Sequence, residues 1–394
     1  MANPSGPAEQ RVALVHDFLL DLRGAERVFL QLCELFPDAD LFTAVYDPRG
    51  TEGRFIHRRV HASHLQRLRP TARTFRPLLP LYPAAMESLD LRGYDLVVSS
   101  SSAWAHGVIP EPGAVHLCYC HNPFRYAWNA REDTLAQASP LLRPVLANVL
   151  TRWRQWDYIA AQRVDAYVAN SETTRLRIER YLGRSATVLH PPVEVGRFHP
   201  VRPGDLADHY LVLSELMAHK RLDVAVRAFS ELRLPLVVAG NGPDARRLQR
   251  LAGPTVRFVG RVSDAAAARL LSTSRALVVT ATEEFGIAAV EAQAAGRPVI
   301  ALRDGGVLET VAEGRTGTFF DAPTPASLID AVQRFDPLAI DPADCRANAE
   351  RFADDRFRRR FRALVDQALV GEHGGAPAAR VRPRRRERGL ARHG

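Results

Sequence analysis

Short runs of apolar, often β-branched residues alternate along this chain with longer stretches whose apolar positions follow a helical period. Runs of four to six such residues fit strands covered on both faces, and the regular alternation with helices is the rhythm of parallel sheets built from βαβ units. In the first half, strands are expected at Arg11–His16, Leu41–Tyr46, Tyr94–Ser100, Val115–Cys120, Ala166–Asn170 and Thr187–His190. Helices at Gly24–Phe36, Pro140–Ala160 and Glu172–Leu182 fall between them. The second half predicts strands at Tyr210–Ser214, Leu236–Ala239, Val256–Val259, Ala276–Thr280, Pro298–Ala301 and Gly317–Phe319. Its helices are expected near 221–231, 243–251, 264–273, 286–296 and 325–335, with closing helices over 341–369.

Between the halves, Pro191-Pro192 and then Pro200 and Pro203-Gly204 exclude regular helix and hold the chain extended. The expected division is a first α/β domain over 1–195, a linker over 196–204, a second α/β domain with closing helices over 205–370, and a tail over 371–394. The tail is rich in Gly, Pro and Arg, has almost no large apolar residues, and is expected to be disordered. In open α/β sheets ligands bind beyond the carboxyl ends of the strands, so chemistry is sought just after each strand.

Composition narrows the class. The 394 residues suffice for two domains, each with its own core. The first apolar run is interrupted by His16 and Asp17 and lacks a basic leader, and no run reaches the roughly 18 residues of a spanning helix. Four scattered cysteines fit a reducing compartment, and the expected location is cytoplasmic. The net charge of +9 is unevenly spread. Segment 53–86 carries seven arginines and no acid, and the tail carries seven arginines against two glutamates. The basic segment interleaves Phe55, Ile56, Leu65, Leu68, Phe75, Leu78, Leu79, Leu81 and Tyr82, a surface suited to an anionic membrane or to an ordinary solvated loop and helix. No nucleic-acid-binding motif accompanies it, so no specific nucleic acid is expected.

Glu283 and Glu291, eight residues apart, flank the strand-to-helix step at Phe285-Gly286. A carboxylate in that loop and another two turns into the helix can each accept paired sugar or ribose hydroxyls. The helix start adds free N–H groups, and Gly286 leaves room for a ligand; a dipole-favoured acidic helix start gives the same residues without a ligand. Lys220 is the only lysine beside 52 arginines, which suggests a place that wants a compact ammonium. His121 follows a strand, where a structural role is the commoner one. Asp38-Ala39-Asp40 has the D-x-D form of a metal clamp but reads as a helix-to-strand turn, and Cys118-x-Cys120-His121 lacks the second pair a zinc site needs.

From Thr280 to Ala301, with Gly305-Gly306 and Glu309-Thr310 beyond, the chain resembles the E-x7-E region of glycosyltransferase family 4, whose GT-B fold has two Rossmann-like domains facing across a cleft. Arg23-Gly24-Ala25-Glu26-Arg27 is similar to the family's glycine loop, and His121-Asn122-Pro123-Phe124-Arg125-Tyr126-Ala127-Trp128 to a motif of its mannosyltransferase branch. Ala169-Asn170-Ser171, His190-Pro191-Pro192, Lys220-Arg221 and Gly240-Asn241-Gly242-Pro243 follow in the family's order. The resemblance implies catalytic roles for His121, Glu283 and Lys220. It implies donor binding by Gly24, Arg221, Gly240, Glu283, Phe285, Gly286, Ile287 and Glu291, the last at the ribose.

The implied activity is a retaining, metal-independent hexosyltransferase without a cofactor. Mannose from GDP-mannose is the expected donor, and a glycan or lipid-linked acceptor is expected, in cell-envelope or exopolysaccharide synthesis on the inner face of the membrane. A UDP-hexose donor is the alternative, and a non-catalytic basic binding protein on the same scaffold is an alternative of another class. Two positions depart from the family. Many members carry an arginine where this chain has Glu215, which leaves Arg221 to share the phosphate role, and Arg23 stands where the first of two glycines is usual.

Overall fold

The computed structural model describes residues 10–72 and 74–374. Seven strands form the first sheet: β1 (Val12–His16), β2 (Asp40–Thr43), β3 (Val60–Ala62), β4 (Leu96–Ser101), β5 (Val115–Cys120), β6 (Ala166–Ala169) and β7 (Ala186–Val188). Six form the second: β8 (Tyr210–Leu213), β9 (Leu236–Ala239), β10 (Val256–Gly260), β11 (Leu277–Val279), β12 (Val299–Leu302) and β13 (Gly317–Phe320). All pairings are parallel, in the orders β3-β2-β1-β4-β5-β6-β7 and β10-β9-β8-β11-β12-β13. Every residue of β4, β5, β9 and β12 is buried, as expected of strands with helices on both faces.

Both sheets reverse direction once, beside their first strand. The order turns at β1 and β4 in one sheet and at β8 and β11 in the other, and such a reversal opens a crevice at the strands' carboxyl ends. The segments after β1, β8 and β11 hold Gly24, Lys220 and Glu283, so the sequence's candidate residues fall where the topology leaves space.

The closing helices correct the expected division of the chain. Helix Pro342–Ala349 does pack with the second half, where Ala349, Phe352 and Ala353 join the core around Ala289 and Val299. The last helix, Asp354–Gly374, returns to the first half instead: Phe357, Phe361 and Val365 share a core with Leu14, Val28 and Leu117. Its apolar residues recur at four-residue spacing and fill the face of the first sheet beside helix Gly24–Leu35. The helix includes residues 371–374 of the expected tail; the remainder of that tail, from 375, lies outside the described residues. The linker and the residues just before it pack on the second half. Val193 donates its N–H to the Phe352 carbonyl at 2.9 Å, and Phe198 is buried in the second core.

Candidate functional site

The second half supplies one wall. Lys220, at the end of a short 3-10 turn after β8, places Nζ 2.8 and 2.7 Å from the two carboxylate oxygens of Glu283. Its backbone carbonyl accepts the Thr280 hydroxyl at 2.9 Å, which ties the lysine's turn to the end of β11. The Glu283 loop is held from behind by Gly305 and Gly306: the Gly306 N–H donates to the Glu283 carbonyl at 2.8 Å, and a Cβ on Gly306 would lie 2.3 Å from the Phe285 Cα. Gly286 caps helix Ile287–Ala294 at φ +94°, a backbone state that favours glycine. Gly240, at φ +140°, lies so close to the Ser214 carbonyl that a Cβ would stand 1.8 Å from its oxygen.

Neighbouring positions take different parts. The Phe285 side chain is buried in the second core and stacks on His190, so only its backbone faces the loop. Arg221 does not join the Glu283 cluster, because its guanidinium engages Asp223 at 3.4 Å and the Pro323 carbonyl at 3.1 Å. Glu291 is half-buried, and burial pushes its carboxyl up to about 7; Arg197 and Arg27 pull against this while Asp264 and Glu194 add to it.

The first half supplies the opposite wall. Gly24 approaches the second half so closely that a Cβ there would lie 3.2 Å from Ile287 Cδ1. His121 is buried, with Nε2 2.9 Å from the Ser100 hydroxyl, and that hydroxyl lies 3.1 Å from His16 Nδ1. His16 Nε2 in turn faces Glu26 Oε1 at 3.6 Å, an electrostatic contact longer than a hydrogen bond. Ser100 thus bridges the two imidazoles, with the Glu26 carboxylate behind His16. Burial, with His16 adding to it, pushes the His121 pKa down to about 3, so the ring is neutral.

Three residues were not singled out from the sequence. Arg125, inside the His121–Trp128 motif, reaches across to Glu284, and Arg177 approaches the same carboxylate at 3.5 Å. Burial opposes ionisation of Glu284, but Arg125, Lys220 and Arg177 outweigh it and hold its carboxyl below the usual range. Arg125 also lies 3.1 Å from His219 Nε2. The adjacent glutamates 283 and 284 were visible in the sequence, but which cation each would meet depends on the facing domain.

Further pairs bridge the two halves. Arg27 donates to Asp264 at 2.7 and 3.0 Å, Arg23 lies 3.0 Å from Glu215, and Arg261 lies 3.4 Å from Asp21. Glu309 accepts the Glu172 N–H at 2.9 Å, capping helix Glu172–Leu182 from the other half, and pairs with His190 at 2.8 Å. An open cavity of about 540 Å³ between Arg11, His61 and Tyr94 is lined by none of the singled-out residues.

The basic segment divides into packed and open residues. Phe55, Leu65 and Tyr82 are buried, and Arg58 donates to the carbonyls of Cys33, Phe36 and Ala39 at the end of helix Gly24–Leu35. Ile56, Leu68 and Leu81 are exposed, as are Arg54, Arg59, Arg67, Arg69 and Arg76; Arg73 lies outside the described residues. Asp40 of the D-x-D sequence opens β2 and accepts the Tyr94 hydroxyl at 2.6 Å. Cys118 and Cys120 pack in an apolar cluster with Ala161 and Ile178. Among the described residues no helix is long and apolar enough to cross a membrane.

Comparison with known proteins adds to this geometry. A family model described as Glycosyltransferase Family 4 matches residues 22–197, and one described as Glycosyl transferases group 1 matches residues 207–352. A D-inositol 3-phosphate glycosyltransferase of Nocardioides sp. is 31% identical over 269 residues, covering 59% of this chain and 51% of that protein. A GDP-mannose-dependent alpha-(1-6)-phosphatidylinositol monomannoside mannosyltransferase of Mycolicibacterium smegmatis is 33% identical over 196 residues, covering 41% and 50%. The chain thus spans about half the length of the curated relatives it matches. In fold it is similar to sucrose-phosphate synthase from Thermosynechococcus elongatus, with a TM-score of 0.72 at 20% identity over 92% of this chain and 100% of the other. It is also similar to Anabaena HepE in complex with UDP, with a TM-score of 0.67 at 16% identity over 91% and 100%.

Proposed function

This chain belongs to glycosyltransferase family 4, with the GT-B fold, and from that premise we propose that it transfers a hexose from a nucleoside diphosphate sugar with retention of configuration. The observation that carries the proposal is the Lys220–Glu283 pair, an ammonium and a carboxylate brought together between the carboxyl ends of β8 and β11 and at the start of a helix. In the occupied site Glu283 accepts hydroxyls of the donor sugar and Lys220 turns to the diphosphate. As the bond from the anomeric carbon to the phosphate oxygen breaks, the acceptor oxygen bonds to that carbon from the same face. Its proton passes to the departing phosphate oxygen. Charge developing on the leaving group is met by Lys220, and the proposed step calls for no metal and no cofactor.

Mannose from GDP-mannose is the favoured donor, supported by the His121–Trp128 motif and by the printed name of the Mycolicibacterium relative. That name also supports a glycan or lipid-linked acceptor. A UDP-hexose is the second reading, favoured by the UDP and UDP-glucose complexes of HepE. Hydrolysis of a panel of nucleotide sugars in EDTA, with thermal shifts by GDP and UDP, tests the proposal. GDP-mannose turnover and stabilisation by GDP are expected. Salt-sensitive retention on DNA with no response to any nucleotide would sink it in favour of a basic binding protein. The exposed arginines, with Ile56, Leu68 and Leu81 of segment 53–86, support an anionic membrane surface as the acceptor's lipid side. Failure to bind phosphatidylserine vesicles at low salt would count against that reading.

Glu291 makes nucleotide binding pH-dependent. Its raised pKa means that the empty protein favours the protonated carboxyl. The associated stability is full below the usual carboxylate range and is lost as pH rises through about 7. Two ribose hydroxyls donating to the carboxylate favour the ionised form, so binding releases a proton below about pH 7. Nucleotide affinity is expected to rise between pH 6 and 8, by at most about tenfold per unit below the pKa. Glu291→Gln should bind more weakly and lose that slope; titration calorimetry in two buffers of different ionisation enthalpy reads both.

A further inference from the structure

Both departures from the family pattern, Arg23 and Glu215, meet across the cleft: Arg23 Nη1 lies 3.0 Å from Glu215 Oε1. We propose that Arg23 is the second cation of the diphosphate site, supplied from the first half, and that Glu215 holds its place until a nucleoside diphosphate arrives. The inference rests on the proposed function and adds to it a residue from the opposite wall.

Three observations carry it. The first is that Arg221, the other basic residue considered for this role, turns to Asp223 and the Pro323 carbonyl, away from Glu283. Arg221 is therefore not the cation that joins Lys220 at Glu283. The second is that the backbone of Arg23 is fixed. Its N–H donates to Glu26 Oε2 at 3.0 Å, it caps the start of helix Gly24–Leu35, and the adjoining Gly24 rests against Ile287. The guanidinium thus starts from a rigid base directly opposite the helix that follows Glu283.

The third observation concerns the pair itself. Its side chains are 50% and 46% exposed, so the bond is screened and easily exchanged. Glu215 lies five residues before Lys220, in the same segment after β8, so its carboxylate puts negative charge beside the lysine's turn. A planar guanidinium forms two parallel bonds to phosphate oxygens as readily as to a carboxylate, and a diphosphate carries more charge than one glutamate. Asp21, 3.3 Å from Arg23 Nε, keeps the side chain aimed from the other side. Donor entry then exchanges Glu215 for phosphate on Arg23, while Lys220 exchanges Glu283 for the same diphosphate.

The test is calorimetric titration of the full chain with GDP, GMP, UDP and UMP. Wild type should prefer each diphosphate to its monophosphate. Arg23→Ala should weaken diphosphate binding on the order of tenfold and leave monophosphate binding unchanged, as expected for loss of a charged hydrogen-bonding partner. Arg23→Lys should fall between, keeping the charge without the fork. Glu215→Gln should strengthen diphosphate binding, because the competing carboxylate is gone. An unchanged diphosphate preference in Arg23→Ala overturns the inference, and so does weakened binding in Glu215→Gln, which would make the pair a simple clamp between domains. Wild type binding none of the four nucleotides would overturn the proposed function together with it.

Discussion

Lys220→Ala is expected to lower kcat/KM for the nucleotide sugar by about two to three orders of magnitude, the usual cost of removing one group that meets transition-state charge. Nζ is shared between both oxygens of Glu283, so the two charges neutralise each other and the lysine is held beside the carboxylate proposed to bind the donor sugar. In the proposed mechanism, bond breaking places new negative charge on the leaving diphosphate, and of this pair Lys220 is the one that follows it while Glu283 stays with the sugar. The loss should therefore fall on kcat as well as on KM. Stability should change little, because the pair lies at the cleft and the core beneath it, around Phe285 and Val290, does not depend on it. Lys220→Arg is the informative companion. It keeps the charge but replaces a compact ammonium by a longer planar fork, so partial activity at best is expected. Steady-state donor hydrolysis reads both variants, and wild-type turnover in Lys220→Ala would remove the lysine from the mechanism.

Which parts of this site could be read from the chain follows from the range of the interactions involved. Strands such as Leu236–Ala239 and Val299–Leu302 were legible because burial on both faces makes them unbroken apolar runs. Strand β3 was not, since its three residues include an exposed histidine and sit inside an arginine-rich segment. Gly286 and Glu283 could be placed because a strand-to-helix turn is local. The Glu284 cluster could not, since Arg125 and Arg177 reach it from the other sheet. The same limit applies to the final helix: its apolar stripe was visible, but not which half would receive it. Arg23 and Glu215 were each legible as an oddity; only their juxtaposition joins them into one device.

His121→Ala is expected to reduce transfer about a hundredfold, and the reason lies in the proton arrangement behind the ring. A ring whose pKa is pushed down to about 3 cannot act as a general acid near neutrality, so its contribution has to come from the neutral form. In the proposed arrangement the chain Glu26–His16–Ser100 sets that form: Glu26 holds a proton on His16 Nε2, the Ser100 hydroxyl donates to His16 Nδ1, and His121 Nε2–H donates to Ser100, leaving His121 Nδ1 bare. In the proposed mechanism His121 Nδ1 then accepts a hydroxyl of the donor sugar, fixing the sugar as the bond breaks. Ser100→Ala removes the partner without touching the ring, and about a tenfold loss is expected because the tautomer is no longer fixed. Nitrogen-15 spectra distinguish this positioning role from a merely structural one: wild-type His121 should show a protonated Nε2 and a bare Nδ1 from pH 5 to 8, and Ser100→Ala a mixture. A ring that titrates near its ordinary value, with activity following that titration, would make His121 an acid–base catalyst instead and would reverse the proton order assigned to the buried chain.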